Sequence, residues 1–310
     1  MTIDIPLNAK DYIYKKIYAR LSEGNPIARR IRTWMINNYF GPKLKHNPAI
    51  EANWLQEYFR LLVGFNGVCQ EIDSYEALSA IGFRQDLNRR VLFHMRINHS
   101  SDLDVMKQIW EAEEYAAVVA TIRRYLPTED VPLRIIDAGA NVGYTTLYLK
   151  NAFPNAHIVS LEPEDGNFRQ LTRNISLNQL ANVTAVQAGL WKREAHLQIG
   201  NDFRDHREWS FHVEEVNSPS GLKGYSVLDI MQQQNWAEVD LLKIDIEGAE
   251  RYIFENADLA REALKSTRLI AMEIHDEFKI RPQIYEFLKQ NHFDFFEDGE
   301  TTIGRNTLLT

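Results

Sequence analysis

Cysteine is almost missing from this chain of 310 residues: Cys69 stands alone, which excludes an internal disulfide and any disulfide-stapled fold. That usage fits a reducing compartment. The surroundings, Gly67-Val68-Cys69-Gln70, carry no nucleophile motif, so the thiol reads as a buried structural group. No run approaches the roughly 20 uninterrupted apolar residues that a membrane-spanning helix needs. Met1-Thr2-Ile3-Asp4-Ile5-Pro6 lacks the basic flank and apolar stretch of a secretory signal. A cytoplasmic location is therefore expected. Repeats and low-complexity tracts are also lacking, and so is a positive charge excess. The net charge of −8 argues against non-specific nucleic-acid binding by the whole molecule.

What is present is ordinary for a globular protein: 45% hydrophobic and 25% charged residues. The charge is unevenly spread. Residues 1–50 hold nine Lys/Arg against three Asp/Glu, and Arg29, Arg30, Arg32, Lys43 and Lys45 interleave with Trp34, Met35 and Phe40. This basic set is either the solvated face of a helix or a contact for a membrane surface or acidic partner. Ile13, Ile17, Tyr18 and Leu21 mark one helical stripe; Ile50, Trp54, Tyr58, Phe59 and Leu62 mark another, capped by Asn47 with Pro48 at its first position. Val91 to Ile97 alternates as a short strand. A long helix then opens at Ser101 or Asp102 and ends before Pro127. The expected organisation is a mainly helical extension over 1–100, a connecting helix over 101–129 and a second domain over 130–310.

After Pro132 short apolar runs alternate with helix-like stretches: Arg134-Ile135-Ile136, His157 to Leu161, Val183 to Val186, Val239 to Ile244 and Leu269 to Met272. Near-continuous apolar strands separated by helices predict a parallel sheet covered on both faces, an α/β doubly wound fold. Phe293 to Phe296, the turn Glu297-Asp298-Gly299-Glu300 and Thr301 to Gly304 predict a closing antiparallel hairpin.

Ligands bind beyond the carboxyl ends of such strands, where strand order reverses. The first strand delivers Asp137-Ala138-Gly139-Ala140-Asn141-Val142-Gly143 there. The spacing lacks the middle glycine of G-x-G-x-x-G, which a pyrophosphate site wants. An acid followed by Gly139 and Gly143 suits a ligand with one carboxylate and one amine, and S-adenosylmethionine fits that description. Asp137 would face its ammonium or sulfonium region, while Asn141 and loop N–H groups hold its carboxylate. Glu162 ends the second strand, where an acid can accept hydrogen bonds from both ribose hydroxyls; nicotinamide enzymes place an acid there too. After the third strand, Ala188-Gly189-Leu190-Trp191 lies where adenine is expected, with Gly189 as a contact or simply a loop residue.

The fourth and fifth strands deliver Asp245-Ile246-Glu247 and Glu273-Ile274-His275. Period-two alternation puts Asp245 with Glu247 and Glu273 with His275. A hydroxyl acceptor needs help losing its proton, and His275 is the expected base, with Glu247 and Glu273 orienting it or the acceptor. In a second version, Asp245, Glu247 and Glu273 hold Mg²⁺, which takes oxygen ligands. A third reading is a strand edge salt-bridged by Lys243 or Arg251.

Together, Ile136-Asp137-Ala138-Gly139-Ala140-Asn141-Val142-Gly143-Tyr144-Thr145-Thr146, Leu161-Glu162-Pro163, Leu242-Lys243-Ile244-Asp245-Ile246-Glu247-Gly248-Ala249-Glu250 and Glu273-Ile274-His275 resemble the FkbM family of methyltransferases. The resemblance spans roughly residues 130–310, with a fainter echo at Arg96, Ser101-Asp102-Leu103 and Glu114-Tyr115. It implies a class I methyltransferase fold (Rossmann-like), S-adenosylmethionine as methyl donor, and O-methylation of a sugar, glycolipid or natural product. By motif it places Asp137, Gly139, Asn141 and Glu162 at the cofactor, and Asp245, Glu247, Glu273 and His275 at the acceptor. Asn201 to Gly224, with Phe203, Arg204, Trp209, Phe211 and His212, departs from a minimal fold and is expected either to wall the acceptor pocket or to form a small satellite core. Competing expectations are a nicotinamide-dependent oxidoreductase and a noncatalytic S-adenosylmethionine-binding interaction module.

Overall fold

A computed structural model describes residues 3–4, 68–72, 77–82, 91–96, 100–126, 131–200, 212–218, 221–255 and 257–310. The chain divides into two compact units, residues 1–107 and 108–310. The boundary falls inside the segment expected to be a single connecting helix.

In the first unit, β1 (Ile3–Asp4), β2 (Val68–Ile72), β3 (Ala77–Gly82) and β4 (Val91–Arg96) form an antiparallel sheet in that order. The strand expected from Val91 is there. Beside it stand β2 and β3, while the two helical stripes and the basic set of residues 29–45, on which the expectation of a mainly helical extension rests, lie outside the described residues. After β4 the chain turns into α1 (Asp102–Met106). Asp102 is fully buried and takes hydrogen bonds from the Arg96 backbone N–H at 2.7 Å and its guanidinium at 2.7 Å, so the charge is paired where it is buried.

The expected long helix is interrupted. α1 runs on as a π-helical turn over Lys107–Glu111, then breaks before α2 (Ala116–Tyr125), with Glu113 left-handed at φ 56°. Glu111-Ala112-Glu113-Glu114 offers no large apolar side chain to bury. The break lets Ile109 and Trp110 on one side and Val118, Val119 and Ile122 on the other be buried separately. The Trp110 indole donates to the Tyr144 carbonyl at 3.3 Å, tethering this segment to the helix that follows the glycine turn.

The core of the second unit is a seven-stranded sheet. In chain order its elements are β5 (Arg134–Ala138), α3 (Tyr144–Ala152), β6 (His157–Leu161), α4 (Asp165–Leu177) and β7 (Val183–Val186). A small sheet follows, built from β8 (Ala188–Leu190), β9 (Ala195–Gly200), β10 (His212–Glu215) and β11 (Leu222–Tyr225) in the order β10-β9-β11-β8. The main sheet resumes with α5 (Val227–Gln234), β12 (Val239–Ile244), α6 (Glu250–Glu255), α7 (Ala257–Lys265), β13 (Thr267–Glu273), α8 (Arg281–Gln290), β14 (Phe293–Asp298) and β15 (Thr301–Asn306). Its order is β14-β15-β13-β12-β5-β6-β7.

Strands β13, β12, β5, β6 and β7 are all parallel, and the sheet closes with β15 antiparallel to β13 and β14 antiparallel to β15, the hairpin that the sequence predicts. Every residue of β12 is buried, which is why its sequence shows no alternation. From β5 the chain steps outward through β6 to β7 and later returns through β12 to β13. With right-handed crossovers, these two directions lay their helices on opposite faces. α3 packs with α4, and α5 with α7. This is the class I methyltransferase arrangement, and its switch point lies between β5 and β12.

At that point the two strand ends touch. The Asp245 N–H donates to the Ala138 carbonyl at 3.1 Å, and a Cβ on Gly139 would overlap the Asp245 carbonyl oxygen. Gly139 also sits at φ 75°, where a side chain is strained. Gly139→Ala is therefore expected to cost at least about 2 kcal/mol of stability, read from urea unfolding.

Candidate active site

The glycine turn is built by three left-handed residues, Gly139, Asn141 (φ 49°) and Gly143 (φ 89°). Gly143 starts α3, and a Cβ there would press on Leu171 at 2.7 Å. Gly139 and Ala140 donate to the Leu161 carbonyl at 3.1 and 2.8 Å. Glu162 completes the turn from the next strand. Its Oε2 accepts from the Asn141 N–H and its Oε1 from the Glu164 N–H, each at 2.9 Å. Burial pushes the Glu162 carboxyl up to about 7, against the pull of these two N–H donors. Each oxygen keeps a second lone pair. The buried Oδ1 of Asn141 has no hydrogen-bond partner, the kind of vacancy a polar ligand group would fill.

Asp137 belongs to β5. Its carboxylate is fully buried beneath the turn, bonded by the Thr146 hydroxyl at 2.7 Å and lying 3.3 Å from the Lys243 ammonium. Oδ2 is thus taken up beneath the turn, while the buried Oδ1 faces Lys243 and has no hydrogen-bond partner. Gly189 sits in β8, paired with Gly224, where a Cβ would meet Leu197 at 3.0 Å. Packing thus accounts for its missing side chain. Trp191 is buried, donates to Glu215 at 3.2 Å and packs on Tyr252 in a small core with Leu197. Phe203, Arg204, Trp209 and Phe211 lie outside the described residues.

Across the switch point, β12 and β13 bring Asp245, Glu247, Glu273 and His275 together. Period-two alternation stops at Ile244: Glu247 (φ 53°) and Gly248 (φ 88°) form a left-handed turn, and Gly248 has no room for a Cβ against Phe278. The turn aims Glu247 Oε2 at His275 Nε2, 3.3 Å away. Glu273 Oε1 lies 3.8 Å from the same nitrogen. On the other side of the ring, Nδ1 meets Oε1 of Glu250, a fully buried acid, at 3.1 Å. Burial alone would lower the His275 pKa, but the bonds to Glu247 and Glu250 outweigh it and push it up to about 11. His275 thus has a carboxylate at each ring nitrogen, and these favour its protonated form over the free base expected of it.

The neighbouring acids hold protons more tightly than usual. Glu273 is pushed up to about 8 by burial and by the charge of Asp245, with His275 opposing and Glu300 and Glu114 adding. Glu247 is raised by burial, with His275 opposing. Glu114, from the helix break, is pushed up to about 7 by burial and then by Asp245. Asp245, Glu247 and His275 each offer a ligand atom within 4.8 Å of the others, so the cation-type group among the described residues includes the imidazole in place of Glu273. Lys243, Glu250 and Glu114 are the residues that sequence reasoning did not assign to the site.

The Methyltransferase FkbM domain matches residues 137–295, half of the chain and both halves of this crevice. The chain belongs to the FkbM methyltransferase family. Among its relatives, Methyltransferase sdnD of Sordaria araneosa is 30% identical over 197 residues, covering 53% of this chain and 74% of that protein. Methyltransferase 1 of Beauveria bassiana is 28% identical over 149 residues, covering 40% and 58%. Among solved structures, the N-terminal domain of human METTL16 in complex with SAH aligns over 92% of this chain and 95% of its own, at 12% identity and a TM-score of 0.43. No helix among the described residues is long and apolar enough to cross a membrane.

The raised carboxyl of Glu273 has a stability consequence. Its folded pKa of about 8 lies above its ordinary 4.5. Between those values the folded protein binds more protons than the unfolded chain, so this group makes stability fall as pH rises from 4.5 to 8. Glu273→Gln should flatten that decline, measured as the urea midpoint at pH 5, 6.5 and 8.

Proposed function

We propose that this FkbM methyltransferase transfers the methyl group of S-adenosylmethionine to a hydroxyl of a sugar-containing or natural-product acceptor. The observation that carries this reading is the meeting of two unlike half-sites at one switch point. One is a tight glycine turn clasped by Glu162; the other is a set of acids gathered around an imidazolium. The turn fits the methyl donor: the Asn141 side chain has an unused buried acceptor, and Glu162 has two spare lone pairs for a ribose diol. When bound, S-adenosylmethionine supplies an electrophilic methyl carbon on a sulfonium.

The chain's own residues do the rest. Gly139, Asn141 and Gly143 shape the seat, and Glu162 orients the ribose. Asp245, whose side chain is 29% exposed, borders both half-sites. Glu273, 25% exposed and with its Oε1 3.8 Å from His275 Nε2, is the group suited to take the acceptor's proton. Its pKa near 8 matches a base working close to neutrality. His275, held between Glu247 and Glu250, keeps a positive charge facing the oxygen that loses its proton. Alignment of acceptor and donor would supply much of the rate.

A second version of proton removal is favoured by the grouping of Asp245, Glu247 and His275: a divalent ion there would acidify the acceptor hydroxyl. Because one ligand is an imidazole nitrogen, Mn²⁺ or Zn²⁺ suits the set better than the expected Mg²⁺. Turnover that survives exhaustive chelation excludes this version; turnover lost with chelator and restored by Mn²⁺ favours it.

The cofactor reading is tested by calorimetry. S-adenosylmethionine should bind and NAD should not; the reverse would end the proposal. If the ribose donates to the Glu162 carboxylate, binding needs the ionised acid. Affinity should then be level above pH 7 and weaken below it, approaching about tenfold per pH unit. Methylation confined to amines or thiols would overturn the hydroxyl assignment.

A further inference from the structure

Lys243 lies on β12 directly opposite Asp137 of β5, with a side chain only 2% exposed. Its ammonium has four oxygen neighbours: the Gly139 carbonyl at 2.8 Å, the Ala138 carbonyl at 3.3 Å, Asp137 Oδ1 at 3.3 Å and Asp245 Oδ2 at 3.5 Å. An unpaired ammonium at this depth would be costly, and a methionine would fill the same volume without that cost. Three of the four oxygens belong to the strand end and turn that form the cofactor seat. The fourth belongs to the acceptor side. No other cation among the described residues forms an ion pair with an acid of each half-site.

We infer that Lys243 is a positioning residue: its ammonium ties the glycine turn to Asp245, so that seating the methyl donor also fixes the acceptor-side acids. The inference rests on the proposed cofactor reading and adds a mechanical link between its two half-sites. The Asp245 N–H to Ala138 bond and the contact between Gly139 and the Asp245 carbonyl give the backbone part of the link. Lys243 provides the side-chain part, its ammonium lying 3.5 Å from the Asp245 carboxylate. Without it Asp245 would keep its backbone position and lose the tether that orients its side chain and the turn after it.

The test uses the full chain with saturating S-adenosylmethionine and hydrogen–deuterium exchange. In the native protein the cofactor should slow amide exchange at residues 139–143 and also at 244–248. In Lys243→Met combined with Asp137→Asn, which removes the buried charges as a pair, protection should persist at 139–143 and fall by about tenfold at 244–248. Lys243→Met alone should do the same if it folds, and the double variant covers the case in which it does not. Native-like protection at 244–248 in the double variant overturns the inference. So does an even loss of protection across β6 and β13, which would mark Lys243 as a fold residue only. Failure of the native chain to bind S-adenosylmethionine would instead strike the cofactor reading on which the inference stands.

Discussion

The site depends on a contact between two strand ends, made possible because Gly139 has no side chain. β5 and β12 run parallel and adjacent, and their crossovers leave in opposite directions. The crevice between their ends would be an open fork if the ends did not meet. The Asp245 carbonyl occupies the space a Cβ would take, the Asp245 amide bonds Ala138, and Lys243 reaches beneath both. Gly139 opens the glycine turn on one side of the junction, and Asp245 leads into the left-handed turn at Glu247 and Gly248 on the other. A displacement at this junction would therefore separate the two half-sites, which is the geometry on which in-line methyl transfer is most dependent.

The two ends of the sheet treat charge in opposite ways. At the amino ends, Arg134, Arg268, Glu238 and Asp240 form a closed set: Arg134 pairs with Asp240 at 3.1 Å, and Arg268 with Glu238 at 2.7 Å and Asp240 at 3.4 Å. Acids and bases are balanced there, as expected of residues that only stabilise an edge. At the carboxyl ends, Asp245, Glu247, Glu250, Glu273, Glu114 and Glu300 outnumber the buried Lys243 and His275, and burial raises three of these acids: Glu247, Glu114 to about 7 and Glu273 to about 8. Of the alternative edge salt-bridged by Lys243 or Arg251, the pair between Lys243 and Asp245 is present at 3.5 Å, but it leaves the acids in excess.

Much of this was legible in the residues. The inner strands, the closing hairpin, the glycine turn and the Asp–Glu and Glu–His pairs follow from apolar runs ending in glycines and acids, because a buried parallel strand has nowhere else to put polar groups. Three things were not legible. Lys243 sits inside an apolar run, and only the register that sets it opposite Asp137 explains a buried ammonium. Glu250 is at a helix start, where an acid needs no special reason, and its reach to His275 depends on the left-handed turn at Glu247 and Gly248. That same turn defeats period-two counting beyond Ile244. Glu114 enters the site through a helix break that contains neither glycine nor proline. At His275 the identity suggested a base, but its two ring partners, Glu247 and Glu250, both come from the segment after β12, which only the fold brings to the end of β13.

The backbone at Glu247 has one more implication. A left-handed residue with a long acidic side chain is strained, and glycine would relieve that strain. Mutant libraries screened solely for heat tolerance should therefore drift toward glycine at this codon, and the survivors should be sturdy but poor catalysts. Here durability and turnover compete for one position, so a protein engineer would do well to hold Glu247 constant while optimising the scaffold around it.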